Sequence, residues 1–512
     1  MSMSTSKTAR VLVVVAIWAA IYLPGLGTLE IKGEEGRRIL PAVTMLQSGN
    51  YIVPQVGSDP YFSKPPLVNW LVAASFKIFG QRNEWAARFP SALCVLVVAI
   101  AFMTVARRSL GANGSLIAAL VWMTNFGMIE KGRLIEIEAL YVSLCGLAII
   151  CWLSWWGQKR SKWLTWIVPW FFLGLGLLAK GPLLLVFFYA VIVAVLYRAR
   201  ELRAIWNAAH FAGIALMLGI FAAWAIPYLQ LMHESDVAHS WTRQYSGRLS
   251  GEDFKLSGWL MNIPRGLGYF LPWVLILPFA KSGFTSKETR KDQRRTSNVE
   301  RRISNSEGET SKFKVRRSTF DVESGLLWGI ALSFLGISLV PGALARYTMP
   351  LLAPAAWLIA MLLTAERSGV PGWLRPRQPK SLSPELRVPA IVTAVACVAL
   401  GLYAVVVMPH LKKREKVRTI AAQINAALPA TELLYAVDPD YQPFLFYVRD
   451  PIIYVDLVGE VPKTGRFLLV QPDKEMQAST SAQWEPLRAR PILRLRDYRN
   501  KEVTLLKVGD VH

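Results

Sequence analysis

The feature that most constrains this chain is a recurring apolar run of spanning length, broken each time by a short basic connector. A helix crossing a bilayer needs ~20 mainly apolar residues. Reading on that criterion predicts about eleven spans, with about 11–13 as the range for the fold class. They fall at 10–27, 88–106, 113–129, 137–156, 164–179, 182–198, 208–229, 267–281, 323–341, 347–364 and 388–408. The chain is 53% apolar and 18% charged, with 19 Trp and 22 Phe. Soluble domains carry roughly a quarter charged residues, so a string of water-soluble domains is excluded over most of the length, and so is disorder. The expected class is a polytopic α-helical membrane protein.

Charge then sets orientation. The 58 Lys and Arg against 35 Asp and Glu give a net charge of +23, which in a soluble protein would point to nucleic acid. Here the basic residues gather between apolar runs, as cytoplasmic loops do, and no nucleic-acid partner is expected. With Lys7 and Arg10 in the cytoplasm, alternation places Arg107–Arg108, Lys159–Arg160–Lys162, Arg198–Arg200–Arg203, 282–322 and 365–387 on the same side. The 282–322 segment is polar, aperiodic and basic, and reads as a disordered cytoplasmic linker. Residues 19–28 offer no small-x-small cleavage site, so the first span reads as retained. Cys94, Cys145, Cys151 and Cys397 all lie in apolar runs, which leaves no disulfide framework or CxxC metal motif.

The opposite face receives 28–87, 230–266 and everything after 408. Residues 1–408 form the membrane domain on this reading, and 409–512 a small extracytoplasmic α/β domain. Its short β-rich runs are 433–437, 451–457, 466–471 and 502–508. Ionisable groups near a bilayer are costly and are functional candidates. The first outer loop is dense with them: IKGEEGRR (31–38), MLQSGNYIVPQ (45–55) and YFSKPPLVNWL (61–71). LPAVTMLQSG (40–49) reads as an amphipathic helix on the membrane surface. The Pro-Pro pair after Lys64 imposes an extended approach.

These blocks resemble the first outer loop of the polyprenyl-phosphate-sugar glycosyltransferases of the C superfold, among them the protein O-mannosyltransferases and, closer, the lipid A aminoarabinose transferases. Further matches follow in order: ARFPSAL (87–93), GRLIEIEAL (132–140), GLGLLAKGPLLL (174–185), QYSGRL (244–249), GYFLPWVLILP (268–278) and ARYTMPLLAP (345–354). The resemblance covers roughly 15–365. It implies a donor sugar joined through one phosphate to a polyprenol. The departing phosphate needs fixed cations, and a weakly nucleophilic acceptor needs a carboxylate to take its proton.

Residue by residue, the resemblance implies Glu34 as general base, with Glu35 as the alternative, and Arg37 orienting the base or contacting phosphate. Lys64, Arg248, Arg346 and Tyr347 would face the donor phosphate. Glu138, with Glu136 as rival, falls near the second acidic position; two residues apart on a helix, they should point to different faces. Lys180, before Gly181 and Pro182, marks a span end and is a further candidate phosphate contact. Both acidic positions carry Glu where the family usually has Asp, which lengthens the side chain but barely changes its basicity. His233 and His239, with Asp236 between them, read as loop residues; no metal site and no cofactor are expected. The implied function is transfer, with inversion, of a sugar from the polyprenyl-phosphate donor to a lipid, glycan or protein acceptor on the outer face of a bacterial cytoplasmic membrane. The rival readings are a lipid-linked-sugar flippase and a catalytically inactive scaffold relative.

Overall fold

A computed structural model describes residues 7–57, 59–61, 64–232, 254, 256–276, 307–364, 383–439, 442–449, 451–485, 487–497 and 500–509. Among these the membrane part is built from α1 (Lys7–Tyr22), α2 (Gly36–Ser48), α3 (Leu67–Phe79), α4 (Glu84–Thr104), α5 (Arg107–Thr124), α6 (Phe126–Lys131), α7 (Ile137–Gly157), α8 (Lys162–Ala179), α9 (Leu183–Ala199), α10 (Ala208–Leu231), α11 (Asn262–Tyr269), α12 (Glu307–Leu339), α13 (Leu352–Thr364) and α14 (Pro384–Leu402). Seven helical stretches among the described residues are long and apolar enough to cross a membrane.

Burial follows from how the apolar residues are spread around each helix. The α7 helix is apolar all round, and every residue from Ile137 to Ser154 is buried, as an all-apolar helix in a bundle centre must be. The α14 helix instead exposes Ile391, Val395, Val398 and Leu402, spaced three and four apart on one face. That stripe suits hydrocarbon rather than water. Where α9 and α12 cross, Gly325 and Gly329 admit the partner backbone. A Cβ on Gly325 would stand 2.6 Å from Val195 Cα, and one on Gly329 2.8 Å from Val191 Cα. This is the close approach that small residues four apart allow between membrane helices. Gly325→Leu should therefore destabilise the fold by about 1–3 kcal/mol, read as a lowered thermal midpoint in detergent; an unchanged midpoint would count against this packing.

Three expectations are corrected. The span at 267–281 is no continuous helix: α11 stops at Tyr269 and a 3₁₀ turn follows over Trp273–Ile276. Pro272 cannot continue a helix, and Trp273 instead buries itself, its Nε1 donating to Thr124 Oγ1 at 3.0 Å. Residues 307–322, expected in the unstructured linker, are the opening turns of α12. They run without proline into an apolar span, and extending an existing helix is far easier than starting one. Finally, the 28–87 loop contains α3, whose N-cap is Pro66. The Pro-Pro pair thus marks where a helix starts as well as where none can form.

The C-terminal part adds α15 (Val417–Ala427), α16 (Pro472–Ser479) and strands β1 (Leu434–Val437), β2 (Ile452–Val455), β3 (Phe467–Val470), β4 (Arg488–Arg496) and β5 (Glu502–Gly509). The sheet order is β2-β1-β3-β5-β4, with β2, β1 and β3 parallel and β5 antiparallel to both β3 and β4. The β4 edge strand was not foreseen. Its arginines and Pro491 hide the alternation, yet Pro and charge are what an edge strand tolerates. The expected surface helix, α2, does not lie open on the membrane. It is amphipathic, but Ile39, Leu40 and Val43 share one core with Phe444, Leu445 and Val448 of the C-terminal domain.

Candidate functional site

Segments distant in sequence converge on a polar cavity of about 400 Å³. Its lining is Glu34, Arg38, Lys64, Glu136, Ile137, Glu138, Lys180, Arg346 and Tyr347. Each reaches it from the end of an element. Glu34 sits in a 3₁₀ turn, Gly33–Glu35, and Arg38 in the first turn of α2. Lys64 stands just before Pro65 and Pro66, and Glu136 and Glu138 flank the start of α7. Lys180 is the residue on which α8 ends. Arg346 and Tyr347 belong to the 3₁₀ turn Ala345–Leu351 that leads into α13. Helix ends leave backbone groups unpaired, so a ring of such ends makes a polar site.

The buried Glu138 carboxylate organises the cations: its Oε1 is 3.0 Å from Lys180 Nζ and 3.2 Å from Arg346 Nε. Lys180 Nζ also lies 4.8 Å from the centre of the Tyr347 ring and 5.3 Å from that of Tyr141, within cation–π range. Glu136 lines the same cavity as Glu138, contrary to the expectation of opposite faces. The reason is that Glu136 is the N-cap, in extended conformation at φ −123° and ψ 150°, so it does not follow the helical turn of 100° per residue. Lys131 Nζ holds it at 3.0 Å and holds Glu130 at 2.8 Å. Burial pushes the Glu136 carboxyl above the usual carboxylate range, Glu138 reinforcing and Lys131 opposing.

Glu35 is placed elsewhere. It is 4% exposed and forms a two-pronged ion pair with Arg88, both N···O distances being 2.8 Å. Arg88 spends its remaining donors on the carbonyls of Leu26, Leu29 and Glu30, so all five guanidinium N–H groups are used. Glu35 Oε1 also accepts from Ile135 N at 3.1 Å, tying the segment that follows α1 to the start of α7. A carboxylate so engaged cannot move to meet an acceptor. Arg88→Ala would strand that charge in the interior, and a loss of about 3–5 kcal/mol in stability is expected. Thermal denaturation in detergent would check it; a wild-type midpoint would mean the pair is dispensable.

Arg37 is outside the cavity, 3.7 Å from Glu34 at the surface. Its neighbour Arg38 is the one that lines it, buried, with Nη1 donating to the Tyr61 hydroxyl oxygen (Oη) at 2.7 Å. Sequence reasoning missed Arg38 and Lys131; the helical phase of α2 relative to Ile39 and Leu40 was the available signal for the first. Arg248, His233 and His239 lie outside the described residues. Among the described residues no group of three His, Cys, Asp or Glu could hold a metal ion.

A second, apolar groove of about 2500 Å³ opens beside the polar cavity and shares Lys64, Lys180 and Tyr347 with it. It runs between α9 and α12, past Phe187, Val193, Trp328 and Leu332, to Tyr197 and Arg198. The length of α9 makes it about 25 Å long. The charged cavity and the basic connectors occupy opposite ends of the same helices: Glu138 opens α7 and Lys159 follows it, and Lys180 precedes α9, which ends near Arg198.

Residues 63–226 match the protein family described as dolichyl-phosphate-mannose-protein mannosyltransferase. The chain is 25% identical over 365 residues to the undecaprenyl phosphate-alpha-4-amino-4-deoxy-L-arabinose arabinosyl transferase 2 of Proteus mirabilis, covering 69% of this chain and 59% of that one. It is 27% identical over 263 residues to an uncharacterised protein of Aquifex aeolicus, 49% of each chain. The chain thus spans about half to three-fifths of the length of these curated relatives. The crystal structure of ArnT from Cupriavidus metallidurans bound to undecaprenyl phosphate superposes with a TM-score of 0.67 at 17% identity, over 98% of this chain and 97% of that one. The apo structure of the same protein gives 0.66. That likeness establishes the fold.

Proposed function

We propose that this chain, which belongs to the polyprenyl-phosphate-sugar glycosyltransferases of the C superfold, transfers a sugar from a polyprenyl-phosphate donor to an acceptor at the outer face of the membrane. The observation that carries the reading is the joining of a cation-rich cavity to an apolar groove through Lys64, Lys180 and Tyr347. A donor of this class has a charged phosphate at one end of a long hydrocarbon, and the two compartments match its two halves. The prenyl chain lies in the groove, reached sideways from the bilayer. The phosphate sits at the junction, and the sugar enters the polar cavity.

In the reaction the acceptor oxygen attacks the anomeric carbon while the bond from that carbon to the phosphate oxygen breaks, inverting the centre. Glu34, the exposed carboxylate of the cavity, takes the acceptor proton. Lys64 and Arg346, with Arg248 from the long outer segment, stabilise the negative charge left on polyprenyl phosphate. Glu138 holds Lys180 and Arg346 in register, so its part is to place cations rather than to move protons. The basic connectors at the far ends of the same helices support an outer-face site, since such connectors stay cytoplasmic. The acceptor is a hydroxyl-bearing lipid, glycan or protein, and its class follows from the outer segments rather than from this cavity.

The test is direct. Purified chain in lipid discs, given a polyprenyl-phosphate sugar, should release polyprenyl phosphate and pass the sugar to an acceptor extract or slowly to water, followed by mass spectrometry. Movement of intact donor across the bilayer with no cleavage would replace this reading with a flippase; neither cleavage nor movement would leave an inactive relative.

A further inference from the structure

We infer that the C-terminal domain is a positioning element of this reaction site, holding the first outer segment, and with it Glu34, through Arg418 and Tyr447; the inference rests on the glycosyl-transfer reading above. The segment has little stiffness of its own. Glu34 sits in a single 3₁₀ turn beside Gly33, whose φ is +58°, and one such turn does not fix a side chain. Its anchors lie on either side. On the far side Glu35 is held by Arg88. On the near side the anchors come from the C-terminal domain, about four hundred residues away in sequence.

The near anchors interlock. Glu30 accepts hydrogen bonds from Lys416 N at 3.2 Å and Arg418 N at 3.0 Å, capping α15, whose own N-cap residue supplies no side-chain bond. Glu30 N donates in return to Glu415 Oε1 at 3.2 Å. This is the reciprocal pattern of a capping box, here made between two domains. Ile31 N donates to the Tyr447 hydroxyl oxygen (Oη) at 2.6 Å, and the same hydroxyl donates to Glu84 Oε1 at 2.7 Å. Arg418 reaches the same oxygen through Nε at 3.1 Å and through Nη2. Glu84 opens α4 one turn before Arg88, so both anchors of the Glu34 segment rest on one rigid helix. Apolar contact seals the joint: Ile31 and Ile39 share a core with Val417, Ile420 and Phe444, and a Cβ on Gly36 would stand 3.1 Å from Pro443.

A base displaced by 1 Å costs on the order of a hundredfold in rate. The chain therefore behaves as one catalytic unit with its C-terminal domain, and neither Arg418 nor Tyr447 need touch substrate. The test uses the full-length chain in lipid discs with Tyr447→Phe, Arg418→Ala and Arg418→Lys. Turnover should fall about tenfold in Tyr447→Phe and about a hundredfold in Arg418→Ala, with partial recovery in Arg418→Lys. The affinity for polyprenyl phosphate should stay within about twofold, because the phosphate-binding cations are untouched. Hydrogen exchange of the 29–36 peptide should quicken in each variant. Wild-type turnover despite faster exchange would overturn the inference, as would a joint fall of turnover and carrier affinity in Tyr447→Phe. If the wild-type chain transfers no sugar, the reaction reading fails by itself; the 29–36 exchange in Tyr447→Phe then still decides whether the domain holds the segment, and unchanged exchange would overturn it.

Discussion

Glu34→Gln is expected to cut turnover by about a thousandfold while polyprenyl phosphate binds within about twofold of wild type. Glutamine has the shape of glutamate and cannot take a proton, so the variant removes the base and little else. A thousandfold loss corresponds to about 4 kcal/mol of barrier, within the range of a positioned general base. Glu34 is the suitable carboxylate because it faces the cavity with nearly half of its side chain exposed. Glu35 is fastened to Arg88 and Ile135 N, and Glu138 to Lys180 and Arg346. Pre-steady-state turnover beside equilibrium binding of the carrier separates the two effects. Turnover within about tenfold of wild type would remove Glu34 from the role of base.

Lys64→Ala should behave differently, weakening carrier binding and slowing transfer together, with kcat/KM down about a hundredfold or about 2.7 kcal/mol. Lys64 lines both the polar cavity and the apolar groove, the junction at which the proposed donor would place its phosphate. Its charge acts on substrate, transition state and released polyprenyl phosphate alike, so the ground state loses affinity as well. Lys64→Arg keeps the charge and should recover much of both, although the guanidinium fork approaches phosphate in a different geometry. Intact carrier affinity in Lys64→Ala would place the phosphate elsewhere and sink the junction.

The legibility of the site varied with how local its cause was. Lys64 and Lys180 stand beside prolines that end or start helices, and such breakers are visible in a sequence. Helical phase separates Glu136 from Glu138 in the sequence, but Glu136 is the cap and does not follow that phase. Arg37 and Arg38 differ by one position in sequence but by about 100° around a helix, and only the phase of α2 against its buried face separates them. Nothing local distinguishes Glu34 from Glu35. The difference is Arg88, which arrives from α4 fully furnished with partners.

What the amino-acid order determines alone is the membrane architecture. Span length, apolar content and basic connectors act residue by residue against a solvent that is uniform along each helix, so they can be read without knowing any neighbour. The C-terminal strands are legible for a similar reason, apart from β4, whose charges mask its period. What tertiary structure alone decided is which ionisable groups share a cavity and which neutralise one another. A carboxylate's role depends on the cations and backbone N–H donors within a few ångströms of it, and those come from distant segments: Arg88 and the Ile135 amide for Glu35, Lys180 and Arg346 for Glu138. Long-range contacts of that kind are set by packing, not by pattern, and they divide four glutamates of similar intrinsic acidity into an exposed carboxylate facing the cavity, a buried tie to Arg88, a helix cap paired with Lys131 and a holder of cations.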